Sequence, residues 1–316
     1  MTADLVTLGE TMVLLASPEI GRLRDMTSLR LSIGGSESNV AICASRLGQS
    51  AAWIGRVGND EFGQMILAIL RREGVDVSAS VTDPSASTAI MLKERRTAEV
   101  VRVSYYRKGY AGSRLGPQDL DEELIGSARV LHVTGITLGL SATARAAAYA
   151  AVETARAGGA LISFDFNYRA ALWTRDEAAA EFRAMSSRAD LIFAGEDELA
   201  ILDGQASPVE AARKLTGGSD RQVVIKRGAL GAICVTRDGF YEQPAFAVRA
   251  IDSVGAGDAF VAGYLAGLLA GADVTERLRQ GCAAGAFAVT VIGDWEGAPS
   301  RSDLDLLTFD VGTTLR

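Results

Sequence analysis

The scarcity of several residue types and patterns narrows the chemistry open to this chain. Its only histidine, His132, ends an apolar stretch and reads more readily as a core residue than as a catalytic one. The cysteines, Cys43, Cys234 and Cys282, are odd in number and too far apart to form a zinc ligand set. They suit buried thiols in a reducing compartment, and no structural metal is expected. Positive charge is also short: 32 Lys and Arg face 39 Asp and Glu, a net charge of -7 that argues against a nucleic-acid-binding surface. The longest apolar helical stretch, Ala259 to Ala272, is too short and too rich in glycine to span a bilayer, so no membrane partner is expected. Met1 to Glu10 shows no cationic segment followed by an apolar one, hence no visible signal peptide, and the expected location is cytoplasmic. No Gly-x-x-x-x-Gly-Lys-Ser/Thr occurs, which excludes a P-loop enzyme, and there is no internal repeat, low-complexity tract or long linker.

What is present is a large supply of core residues. Hydrophobic residues make up 48% of the 316 positions, enough for one large α/β domain with an appendage or for two small domains. Asp4 to Leu8 reads as a short buried strand and Met12 to Ala16 as a second apolar run. Past Pro117 strands and helices alternate: Val130 to Val133 before Ser141 to Arg156, Leu161 to Phe164 before Arg175 to Ser187, and Leu191 to Ala194 before Glu196 to Leu202. Gln222 to Lys226 and Ala232 to Val235 continue the series. Such alternation predicts right-handed βαβ units and a mostly parallel sheet covered on both faces, with ligands at the carboxyl ends of its strands.

Two pieces of chain break this pattern. Leu29, Leu31 and Ile33 alternate with polar residues, and Thr88 to Lys93 and Val100 to Tyr106 flank a charged tip containing Glu94, Arg95, Arg96 and Glu99. They predict a small separate sheet, a discontinuous β lid formed by residues 12–33 and 87–108 on a single domain spanning residues 1–316. A lid of this kind would exclude water from a site below it.

The stretch Asp252-Ser253-Val254-Gly255-Ala256-Gly257-Asp258-Ala259-Phe260 organises the chain. An apolar run, Ala245 to Ile251, leads into it and a helical run leaves it, so Gly255-Ala256-Gly257 is predicted to be a tight turn opening a helix. Small residues there let backbone N–H groups and the helix dipole favour an anion, with phosphate the obvious choice. A carboxylate beside an anion hole binds phosphate poorly but can take a proton from an attacking hydroxyl, so Asp258 is a candidate base for phosphoryl transfer. The plainer reading is a glycine-rich turn with Asp as a helix cap. Likewise Gly34-Gly35-Ser36-Glu37-Ser38-Asn39, ahead of a helix from Val40 to Leu47, is either a polar ligand cradle or an ordinary helix start. The strand ends Asp165 to Arg169, Gly195 to Glu198 and Lys226 to Gly231 are each weak signals alone.

Together these motifs resemble the ribokinase-like family of sugar kinases. The Asp252 to Phe260 run is similar to the family's C-terminal signature and Gly34 to Asn39 to its N-terminal one, with Gly55 to Gly63 at the family's spacing. The resemblance extends from Asp4 to Leu307. Within the family, Tyr105 to Gly109, Asp165 to Arg169 with Leu172-Trp173, and Gly293 to Pro299 look like segments of 2-keto-3-deoxygluconate kinases, whose substrate carries a carboxylate suited to arginine forks.

This resemblance implies a ribokinase-like α/β fold and ATP- and magnesium-dependent phosphorylation of a terminal (C6) hydroxyl, with Asp258 as base and Gly255, Ala256 and Gly257 as the anion hole. It implies a substrate pocket of Gly34, Gly35, Asn39, Met91, Tyr105, Arg107, Arg169, Asp258 and Asp294. It further implies nucleotide contacts from Asn167, Arg169, Glu198, Lys226, Gly228, Gly231, Gly255 and Gly257, with Glu198 organising Mg2+ through water. Potassium is implied at Asp252, which could instead simply cap its turn. Two departures stand out: Gly195 where relatives commonly carry Asn, and Met91 where they often carry Tyr. Arg107 could merely solvate the lid, and Arg169 could pair with Asp165. A kinase for fructose, ribose or another keto-deoxy sugar, and an inert sugar or nucleotide sensor, are the alternative readings. The lid strands are expected to pair between subunits, giving at least a homodimer.

Overall fold

Fully apolar runs of four or five residues can be buried on both sides only inside a sheet covered by helices, and these runs lie in one. The computed structural model describes residues 3–97 and 100–308. Its first eight strands are β1 (Leu5–Leu8), β2 (Met12–Ile20), β3 (Arg30–Gly34), β4 (Ala51–Ile54), β5 (Arg56–Gly58), β6 (Val81–Asp83), β7 (Ile90–Arg95) and β8 (Val101–Tyr106). The rest are β9 (Val130–Thr134), β10 (Leu161–Asp165), β11 (Leu191–Gly195), β12 (Gln222–Lys226), β13 (Ala232–Val235) and β14 (Phe240–Gln243). The larger sheet runs β14-β13-β12-β11-β10-β9-β1-β4 and is parallel from β12 to β4.

Alternate residues of these strands face two apolar layers. Trp53, Phe193, Phe260 and Tyr264 are in the layer on one face. Phe164, Phe166, Trp173 and Phe182 are in the other, with the Phe166 and Phe182 rings stacked 4.4 Å apart. His132 is buried at the centre of the sheet, its Nδ1 2.9 Å from Ser163 Oγ, and burial pushes its pKa down to about 3. It is a neutral core residue, as its apolar setting in the sequence suggested. All three cysteines are buried free thiols. No helix among the described residues is long and apolar enough to cross a membrane.

The parallel series ends sooner than the alternation of the sequence predicts. Ala232–Val235 pairs antiparallel with β12, because Arg227–Gly231 is too short for a crossover, and β14 adds a further antiparallel strand. The short pair β5–β6 was not legible in the sequence. Nor was the true start of the first helix, which opens at Ser36 and runs to Arg46, so that Ser36, Glu37 and Asn39 stand in its first turn or just beyond.

The smaller sheet runs β3-β2-β7-β8 and is built from the two pieces of chain that broke the alternation. Glu99, assigned to the tip between β7 and β8, lies outside the described residues. Along β7 the side chains of Met91 and Lys93 are buried while those of Ile90 and Leu92 are only half-buried, which places Met91 and Lys93 on one face of the strand. Ile20, Leu31, Val100 and Tyr106 are each more than half exposed or close to it, at 57%, 50%, 55% and 52%.

Candidate active site

The carboxyl ends of β9, β10 and β12 face the smaller sheet across a cleft of about 1160 Å³. At its floor begins the helix Ala256–Leu269, whose N-cap, Gly255, has φ +78°. A side chain at Gly255 would also collide with the carbonyl of Asp294, so both conformation and packing require glycine there. No side chain caps this helix, whereas Asp60, Thr174, Ser207 and Asp273 cap others. The amides of its first turn are therefore open to a ligand. At Gly257 a side chain would meet only Lys226 Nζ, 3.7 Å away, so the space beside it opens toward the cleft.

Asp258 stands in that first turn and is gripped from three directions. Ser36 Oγ donates to its Oδ1 at 2.7 Å, and Asn39 Nδ2 donates to Oδ2 at 2.8 Å. Asn167 Nδ2 lies 3.4 Å from Oδ1 and donates to Ser36 Oγ at 2.6 Å. Among the described residues, Asn167 is the one non-glycine with positive φ, +38°. Holding such a residue costs of order 1–3 kcal/mol, a cost commonly met where a side chain must be aimed.

Lys226, at the end of β12, donates to both oxygens of Asp165 at 2.7 Å. Burial works against its charge, but Asp165, with Glu198 and Asp258 beyond it, outweighs burial and holds the ammonium above its ordinary pKa. Asp165 is thus spent on Lys226 and leaves Arg169 without an ion pair among the described residues, contrary to the Asp165–Arg169 pair considered from sequence. Arg169 is exposed at the rim of the cleft, donating to the carbonyl of its neighbour Tyr168 at 3.0 Å. Arg107 is committed differently. Its Nη2 lies 2.5 Å from Oε2 of the buried Glu10, and its guanidinium is 5.5 Å from the centre of the Tyr105 ring. It therefore does more than solvate the lid.

Of the remaining residues singled out from sequence, Gly34, Gly35, Met91, Tyr105 and Asp294 also line the cleft, while Ala256, Glu198, Gly228, Gly231 and Asp252 do not. Met91 and Tyr105 are paired across β7 and β8. A side chain at Gly231 would strike the backbone around Gln243–Ala245, so chain packing accounts for that glycine. Asp294 is buried, which pushes its pKa up to about 7 against the pull of Lys93.

Glu198 accepts the N–H of Tyr168 on Oε1 and that of Gly195 on Oε2, both at 2.7 Å. Each oxygen keeps a lone pair, so the carboxylate fits a water-mediated hold on Mg2+, an ion that sheds its waters reluctantly. The backbone N–H of Gly195 is thus one of the two donors that fix this carboxylate.

Asp252 does cap its turn, accepting the N–H of Val254 on Oδ1 at 3.2 Å, but its Oδ2 is occupied by Lys93 Nζ at 2.6 Å. Sequence reasoning missed Lys93, Glu10, Asp165, Ser36 and Glu37 as members of the site. Ser36 and Glu37 lay inside a motif already noticed. Lys93 could have been flagged as a cation on an otherwise apolar strand.

An uncapped helix start beside a gripped carboxylate and a fixed ammonium is a phosphoryl-transfer geometry. The profile of the pfkB family carbohydrate kinases matches residues 2–301. The chain belongs to that family. As a pfkB-family carbohydrate kinase it is a phosphotransferase with an alcohol acceptor, on the ribokinase-like fold. It is 40% identical over 310 residues to a 2-dehydro-3-deoxygluconokinase of Thermoproteus tenax, covering 96% of this chain and 94% of that one. It is 35% identical over 296 residues to a 2-dehydro-3-deoxygalactonokinase of Haloferax volcanii, covering 93% of each. Among solved structures, a PfkB protein from Polaromonas sp. superposes with a TM-score of 0.88 at 35% identity, over 96% of this chain and 99% of that one. A putative ribokinase II from E. coli, solved in complex with ATP and Mg2+, gives 0.90 at 25% identity over 97% and 99%.

Beneath the cleft Glu37 is fully buried and accepts hydrogen bonds from Thr134 Oγ1 at 2.6 Å and Thr137 Oγ1 at 2.5 Å. Burial outweighs these bonds and pushes its pKa from 4.5 up to about 7. A raised folded pKa means that stability from the protonated form is full below 4.5 and is lost as pH rises through about 7. We expect Glu37→Gln to gain about 2 to 3 kcal/mol relative to the parent between pH 5 and pH 8, measured by urea unfolding at each pH. A difference that does not change with pH would show the carboxylate to be compensated where it lies.

Proposed function

We propose that this kinase transfers the γ-phosphoryl group of ATP to the terminal (C6) hydroxyl of 2-keto-3-deoxygluconate, with Asp258 as general base. The carrying observation is the Asp258 carboxylate held by Ser36 and Asn39 at the open N-terminus of the Ala256–Leu269 helix. A hydroxyl placed against Asp258 loses its proton to the carboxylate as it attacks. The amides that follow Gly255, with the Lys226 ammonium above Gly257, face the charge that spreads over the transferred group. Bound magnesium would neutralise part of the phosphate charge, and Glu198 would hold it through water. Gly228, whose surroundings are open, and Lys226 stand on the nucleotide side. Ordinary capping by Asp258 is not what is seen, since its side chain is turned to Ser36 and Asn39 and the helix has no side-chain cap.

The arginines that line the cleft support an acid substrate. Arg169 stands there without an ion pair among the described residues, and Arg107 holds its guanidinium between Glu10 and the Tyr105 ring. A substrate carboxylate reaching both would bring the smaller sheet down over the core, excluding water and using remote binding energy to orient the hydroxyl. The division of the chain into a core and a lid of residues 12–33 and 87–108 belongs to this reading. The two relatives differ in the configuration of the sugar acid they are named for, which keeps the galactonate-derived isomer as the second substrate to test. The apolar residues exposed on the smaller sheet, among them Leu31 and Tyr106, support a homodimer through the lid.

Release of ADP over a panel of both keto-deoxy acids, fructose and ribose tests the assignment, with the acids expected to lead. Replacing Arg169 with Ala should lower kcat/KM for the acid about ten- to hundredfold and leave any neutral-sugar rate nearly unchanged. Equal losses on both would hand the lead to a neutral-sugar kinase. Asp258→Asn keeps the shape and removes the proton acceptor, so kcat should fall about a hundredfold or more with little change in KM. Turnover retained by that variant would place the base elsewhere. Light scattering at micromolar concentration should give at least a dimer, and a monomer would remove the lid contact from the proposal.

A further inference from the structure

Lys93 has no task in the reaction as described, yet its side chain joins three parts of the molecule. It leaves β7 on the same face as Met91, and Nζ donates to Asp252 Oδ2 at 2.6 Å and lies 3.6 Å from Asp294 Oδ1. All three side chains are more than nine-tenths buried. Asp252 Oδ2 also accepts the N–H of Gly293 at 3.3 Å, and Oδ1 accepts that of Val254 at 3.2 Å. The ammonium thus closes a bracket between the turn leading into Gly255 and the Gly293–Asp294 turn. Those two turns meet again where the Asp294 carbonyl fills the space beside Gly255.

The family resemblance would place potassium at Asp252, behind the anion hole. The residues present do not fit that ion. An ammonium has potassium's charge and nearly its size, and Nζ already occupies Asp252 Oδ2, while Oδ1 accepts the N–H of Val254. A second cation would have to sit against the first without solvent to screen it. Lys93 cannot readily withdraw either, because both its head group and the carboxylates it serves are buried, and an unpaired buried charge is costly.

We propose that Lys93 is a positioning residue whose ammonium takes the place of a monovalent cation, fixing the Asp252–Gly255 turn so that the helix amides stay aimed at the transferred phosphoryl group. The cation is then supplied by the smaller sheet. Phosphoryl transfer by this chain needs no potassium, and the shape of the anion hole depends on where β7 sits against the core. This inference rests on the phosphoryl-transfer reading of the cleft. A normally active kinase that required potassium would overturn this inference alone, whereas retained turnover in Asp258→Asn would overturn that reading.

The test uses the full chain and ADP release with 2-keto-3-deoxygluconate at constant ionic strength. Wild-type rates in potassium chloride and in tetramethylammonium chloride should agree within about twofold, and a stimulation by potassium of about tenfold or more would overturn the proposal. In tetramethylammonium, Lys93→Met should lose about tenfold or more in kcat, with KM for ATP and sugar little changed. Potassium or ammonium added at about 100 mM should then restore a large part of that loss by mass action at the vacated position. A folded Lys93→Met variant, checked by circular dichroism and thermal melting, that keeps the parental kcat would overturn it. So would a loss that no monovalent cation reverses, since that marks a bracket with no cation-specific role. If Lys93→Met does not fold, Lys93→Gln, which keeps a polar end group on a slightly shorter side chain, takes its place with the same expected outcomes.

Discussion

The site depends on one carboxylate being held still. Asp258 receives hydrogen bonds from Ser36 and Asn39 in one helix and approaches Asn167 after β10, while its own backbone begins another helix. These segments are far apart in the chain and meet only when the sheet is complete. In the proposed reaction the same interaction joins the base to the anion-binding amides, because Asp258 belongs to the turn that presents them. Aim and charge stabilisation are thus set by a single element, which is what a reaction with little covalent chemistry for the protein to perform demands.

Around that carboxylate the buried charges are arranged so that nearly every acid is spent. Asp165 is taken by Lys226, Asp252 by Lys93, Glu10 by Arg107, and Glu37 and Asp294 are pushed toward neutrality by burial. Buried charges without partners would be too costly to keep, so the pairing is a condition of folding. Its consequence for chemistry is selective. Of the cations that line the cleft, Lys226, Lys93 and Arg107 are held by these acids, while Lys108 and Arg169 form no ion pair among the described residues.

The smaller sheet takes part in this arrangement. Lys93 starts from β7 and Arg107 follows directly after β8, and both end on acids, Asp252 and Glu10, carried by other segments. The sheet's contacts with the core combine these ion pairs with apolar packing, since Val13 and Ile33 of its strands belong to the same buried layer as Trp53 and Phe260, while Met91 and Tyr105 line the cleft. Ion pairs of this kind are strong where water is excluded.

Sequence by itself determined the class of fold and drew attention to the turn that carries Gly255, Gly257 and Asp258, because both rest on local pattern. Four- and five-residue apolar runs alternating with capped helices specify covered parallel strands, and the spacing of Gly255, Gly257 and Asp258 specifies a helix start with a carboxylate in its first turn. Where local pattern was silent, the reading failed. The antiparallel turn to β13 depended on a loop length whose meaning appears only beside β12. The partners of Arg107, Asp165 and Asp252 depended on which buried charges meet across segments separated by tens or hundreds of residues. Lys93 and Asp252 lie 159 positions apart, and neither carries a local sign of the other. Tertiary structure alone decided that pairing, because the choice of partner for a buried charge is made by whatever opposite charge the completed core brings within reach.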